Sequence, residues 1–161
     1  MPVIVRKMRP QDARSFLKVH HAAVRGLAAA DYPPDVIDAW APMPISDEAV
    51  DRLVAAPPGQ IRLVAEIGGE IVGIGEIVPA LNELRACYVL PKAARQGVGT
   101  ALVREIEQIA REHGLAHLQL DASLTSEPFY LSLGYEVREH GEHMLGTGLA
   151  MACVKMEKHL I

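Results

Sequence analysis

The sequence predicts an α/β (α+β) fold, a single domain over residues 1–161 with one mixed, largely antiparallel central sheet flanked by helices. Three observations lead there. Gly68-Gly69 lies between two apolar runs, residues 61–67 and 71–78, which is a hairpin signal. Residues 83–90 form another apolar run that passes through a short basic loop with two glycines into a long amphipathic helix. The chain has 161 residues, half of them apolar, which suits one domain with a substantial core.

The elements follow in order. Residues 3–8 read as a first strand, and Arg9-Pro10-Gln11-Asp12 as a turn with Asp12 as a helix N-cap. Phe16, Leu17, His20, Val24 and Leu27 then recur at helical spacing until Asp31-Tyr32-Pro33-Pro34 breaks the helix. A shorter helix starts near Pro34-Asp35 and carries Val36, Ile37 and Trp40. Ala41-Pro42-Met43-Pro44 is a loop, and Ser46 caps a helix that ends before Pro57-Pro58-Gly59. After the hairpin and the strand over 83–90, a helix over 97–113 places Val98, Leu102, Ile106, Ile109 and Ala110 on one face. Glu107 and Arg111 pair at i,i+4 on the other face, and Gly114 ends the helix. Residues 118–122 are strand-like, 126–133 form a short helix stopped by Gly134, and 135–140 and 149–156 are two more strands. There is no internal repeat and no low-complexity segment.

Composition excludes several classes. A formal net charge of −4 with no long basic run argues against a nucleic-acid partner. No apolar run approaches the length that spans a bilayer, so no membrane role is expected. The start, Met1-Pro2-Val3-Ile4-Val5-Arg6-Lys7, lacks the apolar centre of a signal peptide. Cys87 and Cys153 are far apart in strand-like runs and do not suggest a disulfide, so a cytoplasmic setting is expected.

The loop before the long helix carries the chemistry. A helix opening on Arg95-Gln96-Gly97-Val98-Gly99-Thr100 offers unpaired N–H groups and a positive dipole end, and the glycines allow close approach. Arg95, Lys92 and Arg104 add positive charge. Together these make a site for a phosphate or pyrophosphate. A P-loop does not fit, because no Lys follows Gly99. The dinucleotide fingerprint lacks its third glycine, where Leu102 stands, although Asp121 lies at about the right distance for its acidic residue.

Around the loop stand Glu83-Leu84-Arg85-Ala86-Cys87-Tyr88-Val89, then Leu118-Gln119-Leu120-Asp121-Ala122-Ser123, then Pro128-Phe129-Tyr130-Leu131-Ser132-Leu133-Gly134-Tyr135. This set resembles the GNAT superfamily of acetyl-CoA-dependent N-acetyltransferases, whose loop reads Gln/Arg-x-x-Gly-x-Gly/Ala and whose later signature is Phe-Tyr-x-x-x-Gly-Phe/Tyr. The family's leading Gln/Arg falls on Ala94 here, and Arg95 stands one place later. The resemblance covers residues 61–135 well and implies an enzyme of the GNAT fold that uses acetyl-CoA as cosubstrate.

It also implies roles. Residues Arg95, Gln96, Gly97, Val98, Gly99 and Thr100 would hold the pyrophosphate. Tyr88 and Val89 would lie along the pantetheine arm, where a splayed strand can bond the ligand's amides, and Ser123 could bond the same arm. Tyr130 would protonate the departing thiolate, since a phenol keeps its proton at neutral pH. Glu83, at the start of the strand leading into the loop, would take the amine's proton, with Glu76 in reserve. Asp31, Tyr32 and Trp40 would border the acceptor pocket. A non-catalytic acyl-CoA-binding or regulatory module of the same fold is the alternative. His140-Gly141-Glu142-His143 looks like a metal pair without a third ligand, so no metal is expected. The partner is a small-molecule or peptide amine, and a homodimer remains open.

Overall fold

Gly68 and Gly69 take φ of +59° and +83°, the left-handed pair that a two-residue hairpin turn requires. They join β2 (Ile61–Ile67) to β3 (Glu70–Val78) in antiparallel register, with Ile67 opposite Glu70. Around this hairpin grows a seven-stranded sheet in the order β1-β2-β3-β4-β5-β7-β6, with β1 at Val3–Lys7, β4 at Glu83–Val89, β5 at His117–Ser123, β6 at Glu136–Met144 and β7 at Ala150–His159. Every neighbouring pair is antiparallel except β4 and β5. The structure is a computed structural model, and it describes residues 1–160.

The helices cover both faces of the sheet. They are α1 (Ala13–Leu27), α2 (Pro34–Trp40), α3 (Asp47–Val54), α4 (Val98–Glu112) and α5 (Glu127–Ser132). Strand alternation sorts the core: Leu63 and Ala65 pack toward α4, whereas Val64 between them packs with Phe16 and Val19 of α1. Leu102 and Ile106 of α4 are fully buried, each contributing about 1.5–3 kcal/mol by the usual scale for apolar side chains. The helix comes close to β3 because Gly73 and Gly75 lie beneath it. A Cβ on Gly73 would stand 2.6 Å from Val98 Cγ1. No helix is long and apolar enough to cross a membrane among the described residues.

Several elements differ from the sequence expectation. β6 continues to Met144 and β7 to His159, both longer than expected. β6 is an edge strand and mostly exposed, so its charged residues hide the alternation that marks a half-buried strand. Glu107 is buried, not exposed on the far face of α4. It accepts a hydrogen bond from the Tyr135 hydroxyl (2.9 Å) and pairs with Lys158 Nζ (3.0 Å), because residues after α5 and the end of β7 cover that side of the helix; Arg111 stays 4.0 Å away. Asp12 stands at the N-cap of α1 without a side-chain cap bond. Its carboxylate instead takes Arg6 (2.7 Å) and the Arg9 N–H (2.8 Å). Ser46 caps α3 as expected, accepting from Ala49 N at 3.1 Å.

Candidate functional site

The sheet opens where β4 meets β5. The two parallel strands register only at Glu83 and Gln119, and Gln119 N donates to Asn82 O (2.8 Å). Beyond that point they are no longer paired, which leaves a wedge in the middle of the sheet. β4 also carries a bulge: Ile77 faces Leu84 while Glu76 faces Ala86, so Arg85 is the extra residue. Past the bulge, Leu90 N donates to Val72 O of β3 (2.8 Å). Strand alternation then turns the backbone groups of Val89 and Cys87 toward the open wedge, whereas those of Tyr88, opposite Ile74, turn to β3, so Cys87 takes the place expected of Tyr88.

The wedge widens into a cavity of about 400 Å³ bounded by the end of α1, β4, the start of α4, and α5. Arg95, Gly97, Val98, Gly99 and Thr100 line it; Gln96 does not, and its side chain reaches back to Lys92 O (3.4 Å). The first helical bond of α4 runs from Ala101 N to Gly97 O (3.0 Å). The N–H groups of Val98, Gly99 and Thr100 therefore have no helical partner and mark the positive end of the dipole. The two glycines serve different ends. Gly97 has φ +80° and open space where a side chain would go. Gly99 lies under Phe129, whose Cζ would sit 3.0 Å from an added Cβ. Arg95 also adopts positive φ (+63°) and is exposed. Lys92 pairs with Glu70 at 2.6 Å, and Arg104 borders a different recess beside Glu107, so Arg95 is the cation of the loop that lines this cavity.

Tyr130 and Ser123 border the same cavity. The Tyr130 ring packs edge-on against Phe129 (5.1 Å) and Tyr135 (5.6 Å). Burial pushes its phenol well above its ordinary value. It thus stays protonated, with a donor to offer. Ser123 Oγ donates to Ser126 Oγ (2.9 Å) and accepts from Ser126 N (3.1 Å), holding the entry to α5.

The wedge also opens into a second cavity of about 660 Å³ between α1, α2 and strands β4 to β7. The two cavities share residues of both strands, among them Arg85, Tyr88, Leu120, Asp121 and Ser123, so they meet at the splayed strands. Glu83 lines this second cavity, and its carboxylate accepts from Arg85 Nε at 2.8 Å. Glu76 is more deeply buried and pairs with Arg62 (2.9 Å); burial raises its carboxyl, against the pull of Arg62 and Arg85. Tyr88 turns its ring toward α1 and α2, with His20 at 4.7 Å and Trp40 at 6.2 Å. Val89 from the same strand packs toward α4. Tyr32 contacts Trp40 (5.7 Å), but its hydroxyl donates to Ala152 O and accepts from Leu124 N (2.9 Å), tying the turn before α2 to β7 and the loop after β5. Asp31 accepts from Thr125 Oγ1 (2.6 Å), and of the three residues expected at the acceptor pocket only Trp40 lines a cavity; Asp31 and Tyr32 line neither.

Sequence reasoning did not find several of these wall residues. His20 reads in sequence as one position of an apolar helix stripe; the signal was a polar residue within that stripe. Its Nδ1 lies 3.2 Å from His21 Nδ1, and burial lowers its pKa to about 3, so the ring is neutral. Glu139, His143 and Lys155 enter the cavity from β6 and β7, strands whose alternation is obscured by their charges. His143 bonds Asp121 (3.0 Å). Among the described residues no group of three or more His, Cys, Asp or Glu could hold a metal ion.

Comparison with known proteins adds to this geometry. The Acetyltransferase (GNAT) domain family matches residues 28–160. The chain is 30% identical over 133 residues to the uncharacterised N-acetyltransferase YafP of Escherichia coli K12, covering 82% of this chain and 80% of that protein. It is 36% identical over 81 residues to an aminoglycoside N(6')-acetyltransferase type 1 of Klebsiella aerogenes. That match takes in 44% of this chain and spans about half, 53%, of the Klebsiella protein. A GCN5-related N-acetyltransferase from Rhodopseudomonas palustris superposes with a TM-score of 0.88 at 26% identity, over 99% of this chain and 97% of that one. The PaiA N-acetyltransferase of Thermoplasma acidophilum, solved with coenzyme A, shares the fold at a TM-score of 0.75 and 21% identity, over 99% of each chain.

Proposed function

The chain belongs to the GNAT acetyltransferase family, and we propose that it moves an acetyl group from acetyl-CoA to a primary amine by direct transfer within a ternary complex. The observation that carries this reading is the wedge between β4 and β5, where a cavity floored by a helix N-terminus meets a second, aromatic-walled cavity. Donor and acceptor can then occupy separate cavities that meet at the same strands.

The residues fit the donor. The free N–H groups of Val98, Gly99 and Thr100, with the Arg95 side chain, suit a pyrophosphate. The backbone groups of Cys87 and Val89 that face the wedge suit the amides of a pantetheine arm. One of those N–H groups can also stabilise the charge that develops on the thioester oxygen. An alkylammonium with pKa near 10.4 must lose a proton before it attacks, which costs about 4–5 kcal/mol at pH 7. Glu83, on the acceptor side of the wedge, takes that proton through water. As the new C–N bond forms and the C–S bond breaks, the Tyr130 hydroxyl gives its proton to the departing thiolate, and the proton that the nitrogen sheds in becoming an amide restores the phenol. The relative named for aminoglycoside acetylation supports a small-molecule amine as acceptor.

Thermal unfolding with acetyl-CoA, NAD and ATP tests the donor. At 100 times its dissociation constant, acetyl-CoA should add about 2.7 kcal/mol of stability. Stabilisation by NAD or ATP but not by acetyl-CoA would contradict the assignment. Thiol release on adding an amine tests turnover.

A further inference from the structure

The acetyl-transfer reading leaves open which amines the second cavity accepts, and its wall chemistry narrows the class. Its carboxylates are Glu83, Asp121 and Glu139; its strong cations are Arg85, Arg138 and Lys155. Two of the three carboxylates already carry partners from this chain. Glu83 holds Arg85 at 2.8 Å. Asp121 holds both Lys155 at 3.2 Å and His143 at 3.0 Å. Among the described residues only Glu139 of the three has no ion pair. The cavity is therefore close to neutral before any ligand arrives.

The remaining wall is aromatic. His20, Trp40 and Tyr88 meet edge to face, with centroids 4.7–6.3 Å apart. Their neighbours Phe16, Ile74 and Met151 are apolar. Such a wall favours an apolar or aromatic body, and ring faces add attraction for a single cation. A polycation would bring several ammonium groups to a place with one unpaired carboxylate. Each further charge would lose water without gaining a partner, or would have to displace Arg85 or Lys155 from its own pair.

We propose that the acceptor is a small amine with a single positive charge and an apolar or aromatic body, such as an aralkylamine, and not a polyamine or an aminoglycoside. Trp40 and Tyr88 select the body, and Glu139 receives the amine end.

The test compares 2-phenylethylamine, spermidine and kanamycin as acceptors by thiol release at saturating acetyl-CoA. Trp40 is the only tryptophan in the chain, so its emission also reports acceptor binding directly, with coenzyme A present throughout. The proposal expects kcat/KM for 2-phenylethylamine at least tenfold above that for either polycation, and an emission change with 2-phenylethylamine alone. In Trp40→Ala the tenfold preference should shrink. Equal or better turnover of spermidine or kanamycin would overturn the proposal. So would the failure of 2-phenylethylamine both to react and to alter Trp40 emission while acetyl-CoA still stabilises the protein; the acetyl-CoA reading would then stand without it. If acetyl-CoA itself does not bind, that reading falls and the acceptor class falls with it.

Discussion

Tyr130→Phe removes one oxygen and leaves a ring that still packs between Phe129 and Tyr135. If the hydroxyl protonates the leaving thiolate, kcat should drop by about 10²-fold with little change in KM for acetyl-CoA. The loss should shrink for an acyl donor whose thiol is more acidic, because that thiolate leaves unaided. Equal losses with both donors would reduce Tyr130 to a packing residue. Gly97 gives a second prediction at this scale. Its φ of +80° is one that a β-branched residue resists and Asn tolerates. Gly97→Val should weaken acetyl-CoA binding about tenfold or more, and Gly97→Asn clearly less, as read by titration calorimetry. Equal affinities would show that the left-handed turn does not shape the phosphate site. Residue types near the loop were legible because phosphate binding by a helix N-terminus needs glycine and positive charge in a fixed order. The separate reasons for Gly97 and Gly99 were not, since the second depends on Phe129, which is thirty positions away.

At the scale of elements, the seat of α4 on β3 sets where the helix N-terminus points. A Cβ at Gly73 would meet Val98 Cγ1 at 2.6 Å and Leu102 Cδ1 at 3.0 Å, so the helix would have to move. Gly73→Ala should cost about 1–3 kcal/mol, the range for overpacking. At about 2–4 °C per kcal/mol, that is a Tm lower by several degrees. Acetyl-CoA affinity should fall with it, because Val98 lines the donor cavity. Gly59→Ala, where an added Cβ meets nothing within 4 Å, is the control. A Tm for Gly73→Ala equal to the control would deny that this contact positions the helix. Helix α4 and the β2–β3 hairpin were readable because their signals are local: a 3.6-residue apolar period and a glycine pair. The splay between β4 and β5 was not readable from residues alone, since it depends on which strands become neighbours. The bulge at Arg85 was hidden for the same reason, and so was the burial of Glu107.

For the whole molecule, buried titratable groups set the acid limit. His20 is held neutral by burial, with its pKa lowered from 6.5 to about 3. The unfolded chain takes up that proton near 6.5 and the folded chain only near 3. Between these values the unfolded state binds more protons, so stability falls as pH drops. Asp12 acts in the same direction lower down. Its hydrogen bonds from Arg6 hold the carboxyl below its ordinary 3.8, so its contribution is present above that value and is lost as pH falls through the folded one. Urea midpoints should therefore decline from pH 7 to pH 4, and His20→Leu should flatten that decline. An unchanged slope would remove His20 from the account. The sheet type and the helices on its two faces were legible at this scale from hairpin, loop and helix signals in one chain. The acceptor cavity was not, because α1, α2, β6 and β7 come from distant parts of the sequence to close it over β4 and β5.

Direct transfer across the wedge is the central claim, and initial-velocity kinetics tests it most directly. Acetyl-CoA and an accepted primary amine are varied together, and the rate of thiol release is measured. Direct transfer predicts double-reciprocal lines that intersect, because both substrates must be bound before the C–S bond breaks. It also predicts no acetylated protein when the amine is left out. Parallel lines, together with an acetyl group found on the protein at Cys87, would contradict the account and put a covalent enzyme intermediate in its place.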